Sequence, residues 1–179
     1  MAKKMKLVAA ITAVLTAVFS VLHCCTSLDF ALTMAITFGT MAYHFIMRLA
    51  VGFAIHSLLH NRVDYRLKWF VVSDREMDVY KKLGVKKWKN QMPTYDPSAF
   101  DKVIHSWDEI AQAMCQAELV HEVIVVLSFV PILAAILFGE LAVFLITSIL
   151  SACFDLMFVM MQRFNRTRIM KLLDKGNVR

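Results

Sequence analysis

Glu118 and His121, three residues apart in the run QAELVH, form the local pattern in this chain that best suits catalysis. Residues at this spacing are neighbours on one face of a helix. A carboxylate placed there can orient an imidazole and stabilise its charged form, and the imidazole can act as a general base. We therefore expect His121 to activate a hydroxyl for attack on an acyl carbonyl, with Glu118 orienting the ring.

Two other interpretations of this pair are open. A metal ion would need further ligands, and no HExxH motif or Cys/His set accompanies the pair, so we expect no metal site. The two side chains could also form an interfacial ion pair with the basic segment described below.

Arg48 and Asp155 are the charged residues set most deeply in apolar runs. An arginine at the centre of a membrane costs about 2.5 to 3.5 kcal/mol even on a lenient scale, so it should face a protein interior or a wet cavity. We expect an Arg48–Asp155 pair that either fixes helix register or lines a pocket for a substrate head group. His44 shares the helical face of Arg48 and could be a satisfied core residue or a proton acceptor in that pocket.

The run YKKLGVKKWKNQMP, residues 80–93, contains five of the twenty basic residues. Ammonium groups and indole rings both favour the level of lipid head groups. We expect Lys86, Lys87 and Lys89 to neutralise the phosphates of an acyl donor and Trp88 to anchor the segment at the interface.

A second basic cluster, QRFNRTR at residues 162–168, closes the last apolar run. Guanidinium groups bind phosphate with two parallel hydrogen bonds, so we expect Gln162, Arg163, Asn165 and Arg166 to contribute to the donor site. The alternative is that these positive charges only hold the end of the helix in the cytoplasm.

The composition indicates an integral membrane protein. Hydrophobic residues make up 59% of the 179 residues, and the mean hydropathy of +0.58 is too high for a soluble domain. The net charge of +6 does not indicate nucleic acid, because the basic residues flank apolar runs and form no continuous patch with stacking aromatics. Anionic lipid is the expected counter-charge. The four cysteines lack CxxC spacing and are expected to be free thiols.

Four apolar runs must position the candidate residues. We expect an all-α, polytopic four-helix transmembrane bundle in which residues 1–179 form one membrane domain. The expected spans are residues 6–26, 30–58, 119–138 and 141–160, with a cytoplasmic interfacial segment at residues 61–108. The first run lacks a small-residue cleavage site, so we expect it to be a retained span and not a signal peptide.

Within the interfacial segment we expect a helix from Asp74 to Leu83, with Asp74 as its N-cap and Gly84 as its stop. One side of this region is apolar and is expected to lie against the membrane. That side consists of Met77, Tyr80, Leu83 and Val85.

Orientation follows from the distribution of charge. Nineteen of the twenty Lys and Arg residues lie in the N-terminal, central and C-terminal polar segments, and the two short connections contain none. Since Lys and Arg mark the cytoplasmic side, we expect both termini in the cytoplasm and a location in the bacterial plasma membrane. A homo-oligomer is left open, because a bundle of only four spans often gains from self-association.

Four runs of the chain resemble, in order, the glycosyl-4,4′-diaponeurosporenoate acyltransferase family of small bacterial membrane proteins. They are YHFIMRLAVG, YKKLGVKKWKNQMP, QAELVH and QRFNRTRIMKLL. The resemblance covers about residues 30–172. Asn90, Glu122 and Thr167 stand where the family commonly has an acidic residue, an aromatic residue and a proline, which favours a divergent member with a different acceptor.

This resemblance implies transfer of a fatty acyl group to a hydroxyl of a membrane glycolipid or glycosylated isoprenoid, in the original case a glycosylated carotenoid. It implies acyl-CoA as co-substrate, with no other cofactor, and membrane lipids as partners. Two alternatives stay open: a non-enzymatic lipid-handling protein, and a transferase that uses a prenyl-phosphate carrier, since arginine clusters do not distinguish CoA from other phosphates.

Overall fold

The computed structural model describes residues 2–88, 92 and 95–176, and the regular elements in these ranges are all helical. The α-helices are α1 (Ala2–Thr26), α2 (Asp29–Leu59), α3 (Asp74–Lys82), α4 (Val85–Trp88), α5 (Trp107–Leu127), α6 (Ala135–Phe138) and α7 (Leu141–Gly176). Short 3-10 helices cover Lys68–Phe70, Ser98–Phe100 and Val130–Ala134. The predicted all-α class is confirmed for the described residues.

Within the described ranges, four helical stretches are long and apolar enough to cross a membrane. They are Lys3–Thr26, Asp29–Leu59, Trp107–Phe138 and Leu141–Asp174. About twenty residues of α-helix cross a hydrocarbon core of about 30 Å, so the last three stretches, of 31, 32 and 34 residues, extend beyond it. The chain is therefore a membrane protein whose helices also build structure outside the lipid.

The third stretch is not the continuous helix that the sequence predicted. Helix α5 ends at Leu127, and a 3-10 helix follows at Val130–Ala134. Pro131 has no N–H to donate to the Leu127 carbonyl four residues earlier. The Tyr43 hydroxyl donates to that carbonyl instead, at 2.9 Å. The backbone is thus broken inside an apolar stretch without leaving this carbonyl unsatisfied.

The chain divides into two compact units. The first consists of the described parts of Met1–Gly52 and Val123–Phe154. In it, α1 and α2 meet through stacked rings of Phe19 and Phe38, whose centroids lie 5.6 Å apart. Other apolar side chains of α1 are exposed, as expected of surfaces that face lipid.

The second unit consists of the described parts of Phe53–Glu122 and Asp155–Arg179. It has two apolar clusters. The first cluster comprises Val63, Tyr65, Phe70, Ile110, Ala111, Met114, Cys115 and Ile169. The second cluster comprises Met77, Tyr80, Val85, Phe158, Met161 and Phe164. Helices α3, α4, α5 and α7 therefore build a core of ordinary protein character.

The second cluster corrects the expected membrane-facing side of the interfacial segment. Met77, Tyr80 and Val85 are buried in protein, and only Leu83 of that set is exposed. The reason is that α7 continues well beyond the predicted end of its span and presents an apolar face to α3 and α4. Trp88, the expected lipid anchor, is half-buried and packs against the same cluster.

Helix α3 has a different N-cap from the one that the sequence predicted. Its N-cap is Ser73 and not Asp74, because the Ser73 side chain accepts a hydrogen bond from the Glu76 backbone N–H at 3.2 Å. Gly84 has φ +69°, so the expected glycine stop is confirmed.

Candidate active site

His121 lies on α5 and forms a pair with Asp155 on α7. Its Nδ1 lies 2.8 Å from Asp155 Oδ1, and the Asp155 side chain is only 1% exposed. The imidazole stacks on the Phe158 ring, one turn further along α7, with centroids 4.5 Å apart and an interplanar angle of 5°. Because an ionised carboxylate can only accept, Nδ1 donates the hydrogen bond and Nε2 keeps the free lone pair. This arrangement suits a general base.

Asp155 therefore occupies the place that the sequence assigned to Glu118. The Glu118 side chain is completely buried, and its carboxylate accepts hydrogen bonds from Arg163 Nη1, at 2.7 Å, and from Arg166. The two arginines are three residues apart on α7 and face one acceptor together. Two charge-assisted hydrogen bonds outweigh what a neighbouring imidazole could offer the same carboxylate. The expected Glu118–His121 orientation is corrected accordingly.

Arg163 extends this ion cluster to α3. Its Nε donates to Glu76 Oε1 at 2.7 Å, and the Tyr80 hydroxyl also donates to Glu76. Burial raises the pKa of Glu76, but the hydrogen bond from Tyr80 and the ion pair with Arg163 outweigh it and hold that pKa below its usual value. Burial and the adjacent Glu76 carboxylate raise the pKa of Tyr80. Glu76 is therefore charged, and it ties α3 to α7.

Both guanidinium groups also donate to backbone carbonyls of residues 69–71. Arg166 Nη2 donates to Phe70 O at 2.6 Å, with the guanidinium 5.0 Å from the centroid of the Phe70 ring. Arg163 donates to Trp69 O at 3.3 Å and Val71 O at 3.4 Å. Arg166 is 1% exposed, so it is not available to a donor phosphate. Arg166 is thus engaged within the protein, whereas the expected phosphate role of Arg163, whose side chain is 14% exposed, stays a prediction.

The other residues expected at the donor site differ in exposure. Lys86 and Lys87 on α4 are exposed, whereas Gln162 is buried and Asn165 is half-buried. Lys89 lies outside the described residues. Lys86 and Lys87 are therefore the described members of the predicted set that can meet a phosphate from solvent.

Arg48 and His44, expected to line an acceptor pocket, lie in the first unit on α2. Arg48 Nη2 donates to Ser151 Oγ at 2.8 Å, and Nη1 donates to the His44 carbonyl at 3.0 Å. Ser151 Oγ in turn lies 2.8 Å from Ser128 Oγ. Neither serine was predicted from the sequence, although small polar residues inside apolar runs are known helix-contact residues. The pairing of Arg48 with Asp155 stays a prediction.

An open polar groove of about 440 Å³ lies elsewhere in the second unit. It is lined by Arg62, Asp64, Tyr65, Arg66, Asp108 and Gln112. The Tyr65 hydroxyl and Gln112 Nε2 each donate to the Asp108 carboxylate at 2.6 Å, and the hydrogen bond to Asp108 raises the pKa of Tyr65. Arg62 and Arg66 are exposed beside it, so the groove offers two cations that the sequence analysis did not nominate. Among the described residues, no group of three His, Cys, Asp or Glu could hold a metal ion.

A comparison with protein families found a match to glycosyl-4,4′-diaponeurosporenoate acyltransferase over residues 65–175, which is more than half of the chain. The matched range contains His121, Asp155 and the whole ion cluster around Glu118. Comparison with curated proteins found no significant match, and comparison with solved structures found none either.

Proposed function

Because the chain belongs to the glycosyl-4,4′-diaponeurosporenoate acyltransferase family, we propose that it transfers a fatty acyl group from acyl-CoA to a hydroxyl of a membrane glycolipid or glycosylated isoprenoid. The observation that carries the assignment of the site is the 2.8 Å contact between His121 Nδ1 and Asp155 Oδ1. Acyl transfer to an alcohol requires a base that takes the proton of the hydroxyl group, and the His121–Asp155 pair can supply that base.

In the proposed reaction, His121 Nε2 accepts the proton of the acceptor hydroxyl while the hydroxyl oxygen attacks the thioester carbonyl. A carbon–oxygen bond forms, the carbon–sulfur bond breaks, and the CoA thiolate leaves. The imidazolium then returns the proton to the thiolate, so the products are an ester and free CoA. Asp155 keeps the ring in the required tautomer and stabilises the imidazolium.

The depth of the pair supports a membrane-resident acceptor. Asp155 is fourteen residues beyond the start of α7 at Leu141, which corresponds to about 21 Å along a hydrocarbon core of about 30 Å. Asp155 therefore falls within the predicted span at residues 141–160, towards the end beyond which α7 continues to Gly176. An amphipathic lipid can bring a hydroxyl to that level, whereas a soluble sugar would have to leave water.

For the phosphates of the donor we propose Lys86 and Lys87, together with Lys89 as the sequence analysis expected. Their support is exposure and charge, since Arg163 and Arg166 are engaged by Glu76 and Glu118. The groove beside Arg62 and Arg66 is the second candidate for these phosphates, because it presents two exposed guanidinium groups.

The direct experiment uses the full chain in lipid nanodiscs, radiolabelled palmitoyl-CoA and a glycolipid extract of the host. We expect a new labelled glycolipid and stoichiometric release of free CoA thiol, both reduced about 100-fold or more in H121A. Unchanged transfer by a natively folded H121A would refute the His121 base. Tight binding of one lipid without turnover of any acyl donor would instead favour a lipid-handling protein. Turnover of a prenyl phosphate would favour a transferase that uses a prenyl-phosphate carrier.

A further inference from the structure

Residues 67–71, which include the 3-10 helix Lys68–Phe70, expose three large apolar side chains that no motif in the sequence marked. Leu67, Trp69 and Val71 are 53%, 64% and 61% exposed, whereas Phe70 is 4% exposed. The side chain of Phe70 thus anchors this segment in the first apolar cluster. We call Leu67, Trp69 and Val71 together the apolar prong.

Two arginine side chains of α7 hold the backbone of the prong. Arg163 donates to the carbonyls of Trp69 and Val71, and Arg166 donates to that of Phe70 between them. Both arginines are themselves fixed by the buried Glu118. The exposure of the three apolar side chains is therefore a property of an ordered segment, since two arginine side chains hold its main chain in place.

Three large apolar side chains exposed within five residues of one another are unfavourable in water, and surfaces of this kind mark contact sites. The charges around the prong indicate which contact. Arg66 and Lys68 are exposed and alternate with the prong residues along the chain. A basic and apolar surface that includes an indole is typical of the boundary between lipid head groups and acyl chains.

The hydrogen bond of the Trp69 indole indicates where the prong lies along helix α5. Its indole Nε1 donates to Glu122 Oε2 at 2.9 Å. Glu122 lies near the start of the predicted span at residues 119–138, and it is the last charged residue before the uncharged apolar run at residues 123–138. The indole therefore lies at the level of the predicted membrane boundary, and its partner Glu122 is next in sequence to His121 on α5.

We propose that the apolar prong inserts into the membrane leaflet, with Trp69 at the boundary, Leu67 and Val71 among acyl chains, and Arg66 and Lys68 at the lipid phosphates. The proposal does not depend on acyl transfer. It replaces Trp88, which packs in protein, with Trp69 as the membrane anchor of this segment. It also places lipid at the edge of the candidate active site.

The test is fluorescence quenching of Trp69 in nanodiscs whose phospholipids carry bromine high on the acyl chains. The Trp69 signal is obtained as the difference between the wild type and W69F, so that Trp88 and Trp107 cancel. The matched control is the Trp107 signal, from W107F. Trp107 is exposed at the start of α5, fifteen residues and about 22 Å before Glu122 along this helix, on the side away from the apolar run.

We expect bromolipid to quench Trp69 at least about twofold more than Trp107, and aqueous iodide to do the reverse. Quenching of Trp69 by iodide and not by bromolipid would place the prong in water and overturn the proposal. Protection of Trp69 from both quenchers would mean that protein covers it, such as a second copy, and would overturn it equally. If W69F loses native helical content, Trp69 is measured as the sole tryptophan of W88F/W107F, with the same outcomes.

Discussion

At the scale of single residues, the chemistry depends on which carboxylate serves His121. Asp155 is almost fully buried and contacts Nδ1, so replacing it with the neutral amide of D155N alters the hydrogen bond that sets the tautomer. We expect D155N to lower kcat by about 100-fold or more with little change in KM, and to shift the pH profile of kcat. Acyl transfer measured across pH checks this.

The matched control for D155N is D174N, which makes the same chemical change at an exposed position of the same helix. We expect D174N to retain the activity and the pH profile of the wild type. If D155N keeps both as well, Asp155 does not position the catalytic ring and the tautomer argument fails.

Glu118 has a different role, which predicts a different phenotype. Its removal leaves the guanidinium of Arg166 buried without a counter-charge, so we expect E118Q to destabilise the protein by about 3 to 5 kcal/mol. Glu122 is more exposed and lies 3.8 Å from Arg163, and we expect E122Q to cost less than about 1 kcal/mol. Unfolding in detergent, followed by circular dichroism, measures both. Equal stabilities of the two variants would contradict the assignment of Glu118 as the centre of the ion cluster.

At the scale of elements, Glu76 connects α3 to α7 through Arg163. Its pKa is lowered in the folded protein, so its contribution to stability is complete above the usual glutamate pKa of about 4.3 and is lost as the pH falls through the folded value. We expect α3 to become protease-sensitive in acid at a pH below about 4, before the spans lose helicity. E76Q should show this sensitivity already at neutral pH.

Limited digestion with pepsin in acid and with trypsin at neutral pH, read by mass spectrometry, locates the cuts. The matched control is E109Q, which alters an exposed carboxylate that caps α5 and makes no contact with α3 or α7 among those described. Cuts in residues 73–88 that are equally frequent in E76Q, E109Q and the wild type would show that the ion pair does not hold α3.

Paired substitutions can distinguish the two basic surfaces, which are Lys86 and Lys87 on α4 and Arg62 and Arg66 in the polar groove. We expect K86Q/K87Q to raise the KM for acyl-CoA about tenfold or more at low ionic strength, because each lysine close to phosphates contributes about 1 kcal/mol. R62Q/R66Q is the matched control of equal charge change and should leave KM within about twofold. The opposite pattern, measured as initial rates at two salt concentrations, would move the donor phosphates to the groove.

Much of this architecture follows from sequence because it depends on local composition. The four spans are visible in hydropathy, and Gly84 is a visible helix stop. The partner of His121 could not be predicted from the sequence, because Asp155 is 34 residues away and reaches the ring only when α5 packs on α7. Glu118, three residues from His121 on the same helix, is the partner that sequence spacing favours. The break at Pro131 carried a signal, but one proline in a long apolar run does not show whether the helix bends or breaks.

The lipid contacts of the central segment were harder to predict for a related reason. The apolar side of α3 has the pattern of a membrane-lying helix, but a pattern does not distinguish lipid from another apolar protein surface. Helix α7 provides that surface. The prong, in contrast, has only three apolar residues in alternation and lies in no long helix, so no periodicity marked it.

At the scale of the whole molecule, the proposed reaction requires a definite orientation, because acyl-CoA is cytosolic. The distribution of Lys and Arg predicts that the α1–α2 connection is outside and residues 61–108 are inside. Ser27 in that connection and Ser98 in the central segment are both exposed, so S27C and S98C form a matched pair of reporters. Both are made with Cys24 and Cys25 changed to serine, which leaves Cys115 buried and Cys153 inside an apolar helix.

A membrane-impermeant maleimide added to intact bacteria should label S27C at once and S98C only after permeabilisation. Labelling of S98C without permeabilisation would place the basic segment outside the cell, where no acyl-CoA is present. The donor would then have to be another acyl carrier, although the chemistry at His121 and Asp155 would be the same. Orientation therefore tests the donor independently of the catalytic pair, and a failure here would not be confused with a failure of H121A.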